Sequence, residues 1–199
     1  MIWLNSIVEG VKIFGAYVLP VYLIGSITVM IITKRYNVVK SILQVIFLFY
    51  LCCMAGLVFL PLPTLEEMEG LSYQAQLIPL YCIWDILGNP VNATIVLLFN
   101  IAMTVPFGMF LRYYFGLNAR RVLLYSLALT TLIEIAQYTG LFFLFHGSYR
   151  LFDVDDLLSN TLGGMIGYYL VGKLDFLLPN LALFDGSFVR RKPVIVKAA

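Results

Sequence analysis

Charge is scarce in this chain. Asp, Glu, Lys and Arg make up only 12% of its 199 residues, about half the share of an ordinary soluble domain, while 61% are hydrophobic. That balance excludes a water-soluble globule and a disordered chain alike. A net charge of +2 is too small for a nucleic-acid-binding surface, so no nucleic-acid partner is expected. Histidine occurs once, which excludes a paired-histidine zinc site. The three cysteines give neither a disulfide framework nor a thiolate metal site, because Cys52 and Cys53 are adjacent in an apolar run and Cys82 stands alone. There is no glycine-rich phosphate loop, no serine in a nucleophile elbow, and no EF-hand or Asp-Asp-x-x-Asp run; neither metal nor cofactor is expected. Internal repeats and low-complexity tracts are also missing, so one domain over residues 1–199 is the economical reading.

Present instead are long apolar runs, continuous rather than alternating, which point to an all-α integral membrane protein and not a β-barrel. Five segments are long enough to cross about 30 Å of hydrocarbon at about 1.5 Å per residue. They lie at 13–33, 41–60, 93–111, 122–144 and 157–178. The first is too long for a secretory signal and is stopped by Lys34-Arg35, as a retained helix would be. Basic residues stay on the cytoplasmic side of a membrane, and here eleven of the 13 fall on one side: Lys34, Arg35, Lys40, Arg112, Arg120, Arg121, Lys173, Arg190, Arg191, Lys192 and Lys197. The other side keeps only Lys12 and Arg150 and holds most of the acids, which places the N-terminus outside and the C-terminus in the cytoplasm. Between the second and third helices, residues 61–92 carry Pro61, Pro63, Pro79, Tyr73, Tyr81 and Trp84, a composition suited to an interfacial or re-entrant segment. The tail from Pro179 onward is polar and expected to be mobile.

A few polar residues interrupt the apolar runs, and each is expensive in hydrocarbon. Glu134 lies in the fourth segment, where Thr130, Glu134, Gln137 and Tyr138 share one helical face. Counted from an outer end near Leu144, Glu134 is on the order of 15 Å deep and Gln137 about 10 Å. Asn100 leads a face that continues to Thr104, and Pro106 with Gly108 predicts a kink or local break just below. At the start of the fifth helix Asp153 is a candidate N-cap, with Asp156 three residues on. Asp156 and Asn160 share a face that runs into Gly163, Gly164 and Gly167, where small residues admit a close neighbour. Two readings stand for Arg150: a partner for Asp153 or Glu134, or a holder of a phosphate or carboxylate. His146 has the chemistry for proton transfer, although a lone loop histidine is more often surface.

Four pieces of the chain are similar to motifs of a known family. They are Gln76-Leu77-Ile78-Pro79-Leu80; Asn100 through Val105-Pro106-Phe107-Gly108; Glu134-x-x-Gln137; and Arg150-x-x-Asp153-x-x-Asp156-x-x-x-Asn160-x-x-Gly163. The chain resembles the VanZ-like family of bacterial membrane proteins over residues 45–172, departing from its usual pattern at Gln76 and Leu80. The resemblance implies a cell-envelope protein connected with resistance to teicoplanin and related lipid-bearing glycopeptide antibiotics. On that footing Asn100, Glu134, Gln137, Arg150, Asp153, Asp156 and Asn160 are expected to form one polar pocket open to the outer leaflet. A membrane lipid, a lipid-linked wall precursor or the antibiotic's acyl tail would reach it there. One mechanism is binding without catalysis. The other is an intramembrane enzyme using Glu134 and Asp156 as acid and base, with Arg150 assisting and Asn100, Gln137, Asp153 and Asn160 binding substrate. A proton-coupled transporter fits less well, since no inverted repeat accompanies the five helices.

Overall fold

The computed structural model describes residues 2–62, 64, 72–144, 147, 148 and 150–187. Glu66, Glu67, Glu69, His146 and the four basic residues after 187 lie outside them. The fold is predominantly helical. Helix α1 (Ile2–Ile13) passes through a π-helical turn (Phe14–Val18) into α2 (Leu19–Thr33), so the first apolar segment belongs to a rod that begins well before residue 13. Charge does not prevent this, because Lys12 and Glu9 pair at 2.6 Å on the exposed side. The opposite side packs on α3 (Val38–Phe59): a Cβ at Gly10 would collide with the Cys52 carbonyl, and one at Gly56 with that of Ser6. Asn37 caps α3 by accepting from the Lys40 N–H at 2.8 Å.

A short helix α4 (Cys82–Gly88) precedes α5 (Pro90–Tyr113), α6 (Ala119–Tyr138) and α7 (Val154–Leu174). Among the described residues three helices are long and apolar enough to cross a membrane: Leu4–Thr33, Val38–Phe59 and Pro90–Tyr113. Helices α6 and α7, with 20 and 21 residues, are long enough but more polar. Several of their polar residues are buried against protein, among them Ser126, Thr130, Glu134, Gln137 and Asn160. Gly163 meets the Ile101 carbonyl, Gly167 that of Val105, and Gly108 that of Gly164, so α5 and α7 touch backbone to backbone with no room for a Cβ. Gly164 also admits Ser126 of α6.

Of the kink or local break expected at Pro106, the break is not seen. Helix α5 runs through it, and the Tyr50 hydroxyl donates to the Met103 carbonyl at 2.8 Å in the turn that the proline loosens. The fourth segment, in contrast, ends early. Helix α6 stops at Tyr138, and Gly140, Leu141, Phe142 and Phe143 follow with positive φ, a left-handed turn that closes the helix although the apolar run continues. Glu134 is therefore about one helical turn, ~6 Å, from the end of its helix, which is not near Leu144 as expected.

Two short bridges mark the two ends of the molecule. At one end β1 (Arg35–Tyr36) pairs antiparallel with β4 (Gly186–Ser187), and Asn37 donates to the Leu181 carbonyl at 2.8 Å. The first part of the tail, expected to be mobile, is thus docked, with Leu181 buried. Arg112, counted as a loop cation, instead donates to the Tyr168 carbonyl at 3.0 Å and lies 4.2 Å over the Tyr168 ring. At the other end β2 (Ala75–Gln76) pairs in parallel with β3 (Phe152–Asp153), tying the segment before α4 to the start of α7.

Candidate functional site

The polar residues assemble where α5, α6 and α7 meet beneath the β2–β3 bridge. Helix α6 provides Glu134, 1% exposed, and its Oε2 accepts from the Asp153 N–H at 3.0 Å. Asp153 caps α7, accepting from the Asp155 N–H at 2.8 Å, so the capped donor is that of Asp155 and not that of Asp156. One turn along α7, Asp156 Oδ1 accepts from Asn100 of α5. Asn160, 3% exposed, donates through Nδ2 to Thr130 Oγ1 at 3.2 Å, while its backbone carbonyl accepts from Thr104 at 2.6 Å. Gln137 donates to the Val58 carbonyl at 3.0 Å, which ties α6 to the end of α3.

Asn100, Glu134, Gln137, Arg150, Asp156 and Asn160 line a cavity of about 120 Å³, floored by Val58, Met103 and Ile133. Six of the seven candidate residues meet there. The seventh, Asp153, touches Glu134 only through its backbone and lines an adjoining cleft of about 440 Å³ with Asp85, Asp155, Asp156 and Trp84. Asp156 borders both spaces. Arg150 is exposed at the rim, and among the described residues no ion pair joins it to Glu134 or Asp153.

Sequence reasoning overlooks Asp155. It is buried, and its two carboxylate oxygens accept from the Leu80 N–H at 2.6 Å and the Cys82 N–H at 2.7 Å. This clamp holds Leu80 in the left-handed region at φ 65° and fixes the start of α4. Gln76 is also part of the assembly, paired in register with Asp153 and placing Nε2 3.5 Å from its carboxylate. Three acids within four residues exceed what one helix cap uses, which is the signal pointing to a further role for Asp155. Tyr138 leaves the polar stripe for an aromatic contact, its ring centroid 5.2 Å from that of Tyr73 and 6.0 Å from that of Phe152.

Chemically, the cavity joins two carboxylates, three amide side chains and a rim guanidinium in a largely apolar bundle. Such a set recognises a small polar group by hydrogen bonds and charge. The model of the family described as VanZ/LLP1 matches residues 47–177, about two thirds of the chain and all of the site. No similar curated protein and no similar solved structure is found.

Proposed function

The chain belongs to the VanZ/LLP1 family, and from that premise we propose that it is a multi-pass protein of the bacterial cell membrane that lowers susceptibility to teicoplanin and related lipoglycopeptides. It does so by engaging the polar head of an envelope amphiphile, a membrane lipid or lipid-linked wall precursor, in the cavity at the α5–α6–α7 junction. The observation that carries this reading is the convergence of six polar side chains, from three helices and one loop, on a single small cavity. Isolated polar residues serve helix packing, whereas a lined cavity serves a ligand. In this reading the rod α1–α2, α3, α5, α6 and α7 make five crossings, with the acidic end of the molecule outside and the basic end in the cytoplasm. The cavity then opens toward the outer leaflet.

The test is a set of site variants scored twice, by immunoblot of membranes and by teicoplanin susceptibility. Glu134→Ala and Arg150→Ala should each abolish tolerance while the protein still accumulates. Arg150→Lys should fail as well, because a lysine cannot reproduce the planar fork that grips an anionic group. Normal tolerance in Glu134→Ala would remove this residue from the site, and loss of the protein itself would assign the pair to structure. Topology is checked separately. A cysteine at Glu67 in a Cys-free background should react with an impermeant thiol reagent on intact cells, and one at Asn118 should not.

A second reading, catalysis, is favoured by one observation: Glu134 and Asp156 line the same cavity. As acid and base they would act on a lipid or lipid-linked precursor. Glu134→Gln separates the two. The isosteric amide cannot transfer a proton, so it abolishes catalysis outright, whereas it keeps the shape of the cavity and only weakens a binding site.

A further inference from the structure

The hydrogen-bond ledger of the cavity is unbalanced, and the imbalance specifies a ligand. Among the described residues Asn160 Oδ1 is buried with no hydrogen-bond partner. The orientation of that amide follows from its neighbour: the Thr130 hydroxyl directs its single proton to the Asp156 carbonyl at 3.4 Å, so its oxygen accepts from Asn160 Nδ2. The free end of Asn160 is thus an acceptor. The carboxylates add to the surplus, since among the described residues the hydrogen bonds at Glu134 and Asp156 involve only Oε2 and Oδ1 respectively. Of the donors, Asn100 commits one amide N–H to Asp156 and Gln137 one to the Val58 carbonyl, and the Arg150 guanidinium stands at the rim. The adjoining cleft sets Asp85 and Asp153 beside Asp156, while the Asp155 carboxylate there is satisfied by the Leu80 and Cys82 N–H groups. An unpaired buried acceptor costs on the order of 1–3 kcal/mol, and a buried carboxylate more, unless a donor arrives.

We infer that the cavity takes a primary ammonium group, the cationic end of a zwitterionic amphiphile whose anionic part lies against Arg150 at the rim. This rests on the reading of the cavity as a head-group site and names the chemistry of that head. An –NH₃⁺ carries three donors and one positive charge, which suits an unpaired amide oxygen beside two carboxylates. Size agrees, since a cavity of about 120 Å³ has room for an aminoethyl end. A quaternary ammonium brings the charge without N–H donors, and a neutral polyol brings donors without the charge. These two controls isolate the claim.

The experiment uses the full chain in detergent, with thermal unfolding followed by tryptophan fluorescence. Ethanolammonium should raise Tm saturably, whereas tetramethylammonium at equal ionic strength and glycerol should not. The Asn160→Ala and Glu134→Gln variants should each weaken the ethanolammonium response by roughly tenfold. Where Asn160→Ala fails to fold, Glu134→Gln alone decides. Equal responses to the two cations, or an unchanged response in Glu134→Gln, overturn the inference and leave the cavity to water. A second arm identifies the source. In lipid nanodiscs, native mass spectrometry should find phosphatidylethanolamine retained over phosphatidylcholine and phosphatidylglycerol; retention of none, with the free amine still stabilising, supports the ammonium site and moves its source to a non-lipid amine. The outcomes also separate the inference from the reading beneath it. If the amine response is absent while Glu134→Ala still abolishes tolerance, the ammonium assignment falls and the head-group site stands; if the response is present but tolerance survives Glu134→Ala, the reverse holds.

Discussion

The rod α1–α2 and the pair α6–α7 are built on opposite plans. The rod contains one of the three strongly apolar spans, yet among the described residues α2 buries none, and Val21, Ile24 and Ile32 are about 70% exposed or more. Helices α6 and α7 are not among those spans, yet they hold most of the buried polar side chains: Ser126, Thr130, Glu134, Gln137, Asp155, Ser159 and Asn160. In water an apolar side chain marks the interior. In hydrocarbon apolar groups gain nothing by hiding, and it is the polar group that must be buried against protein. The two helices that look least like membrane helices by composition therefore hold the buried polar interior.

Three substitutions probe that contrast, in decreasing order of effect. Gly167→Leu should be the most damaging, because the side chain would be driven into the Val105 carbonyl where α5 and α7 touch. Membrane-accumulated protein should fall by roughly tenfold or more on immunoblots, whereas Ile24→Ala on the exposed rod should change it little. Full abundance and activity in Gly167→Leu would dissolve the distinction between centre and periphery. An intermediate effect is expected from Asp155→Asn, which replaces one charge-assisted acceptor of the Leu80–Cys82 clamp and should loosen that loop by about 1–3 kcal/mol. In a background lacking Cys52 and Cys53, thiol labelling of Cys82 should then accelerate. The smallest effect belongs to the opposite end of the molecule, at exposed Asp185. Hydrogen bonds from Asn37 and Lys40 hold its carboxyl below the ordinary carboxylate range. A depressed value means that this contribution is present above the free carboxyl's pKa and lost as pH falls through the lower folded one. Hydrogen exchange at residues 181–186 should therefore be unchanged between pH 7 and 5 and accelerate, relative to the intrinsic rate, only in stronger acid; Asp185→Asn should remove that acid dependence.

What the sequence made legible was whatever repeats along a single helix. The Thr130–Glu134–Gln137 face, the Asp156–Asn160 spacing and the run into Gly163 and Gly167 are local, and all reappear as surfaces at one junction. What escaped was set by partners without a side-chain signature. Asp155 binds backbone N–H groups 75 and 73 residues away, and Asn37 reaches a carbonyl 144 residues away. Every residue but proline offers such groups, so no spacing betrays them. The end of α6 was hidden for another reason: Leu141, Phe142 and Phe143 continue the apolar run while their backbone turns left-handed, and hydropathy does not register a change of φ. The misplaced helix end from which the depth of Glu134 was counted follows directly from that.

The contact between Glu134 and the Asp153 peptide group bears on how the protein is made. The donor is translated 19 residues after the acceptor. A nascent chain that has reached only the end of α6 holds a carboxylate whose peptide partner has not yet been synthesised, so lateral release of that helix into lipid by itself is unfavourable. On the five-crossing reading, α6 and α7 are therefore expected to enter the membrane as a pair. The bridge between Ala75–Gln76 and Phe152–Asp153 must close later than both of its strands are translated, so the earlier loop waits for the last helix. Biogenesis of this site is a terminal event, completed only when the final third of the chain arrives.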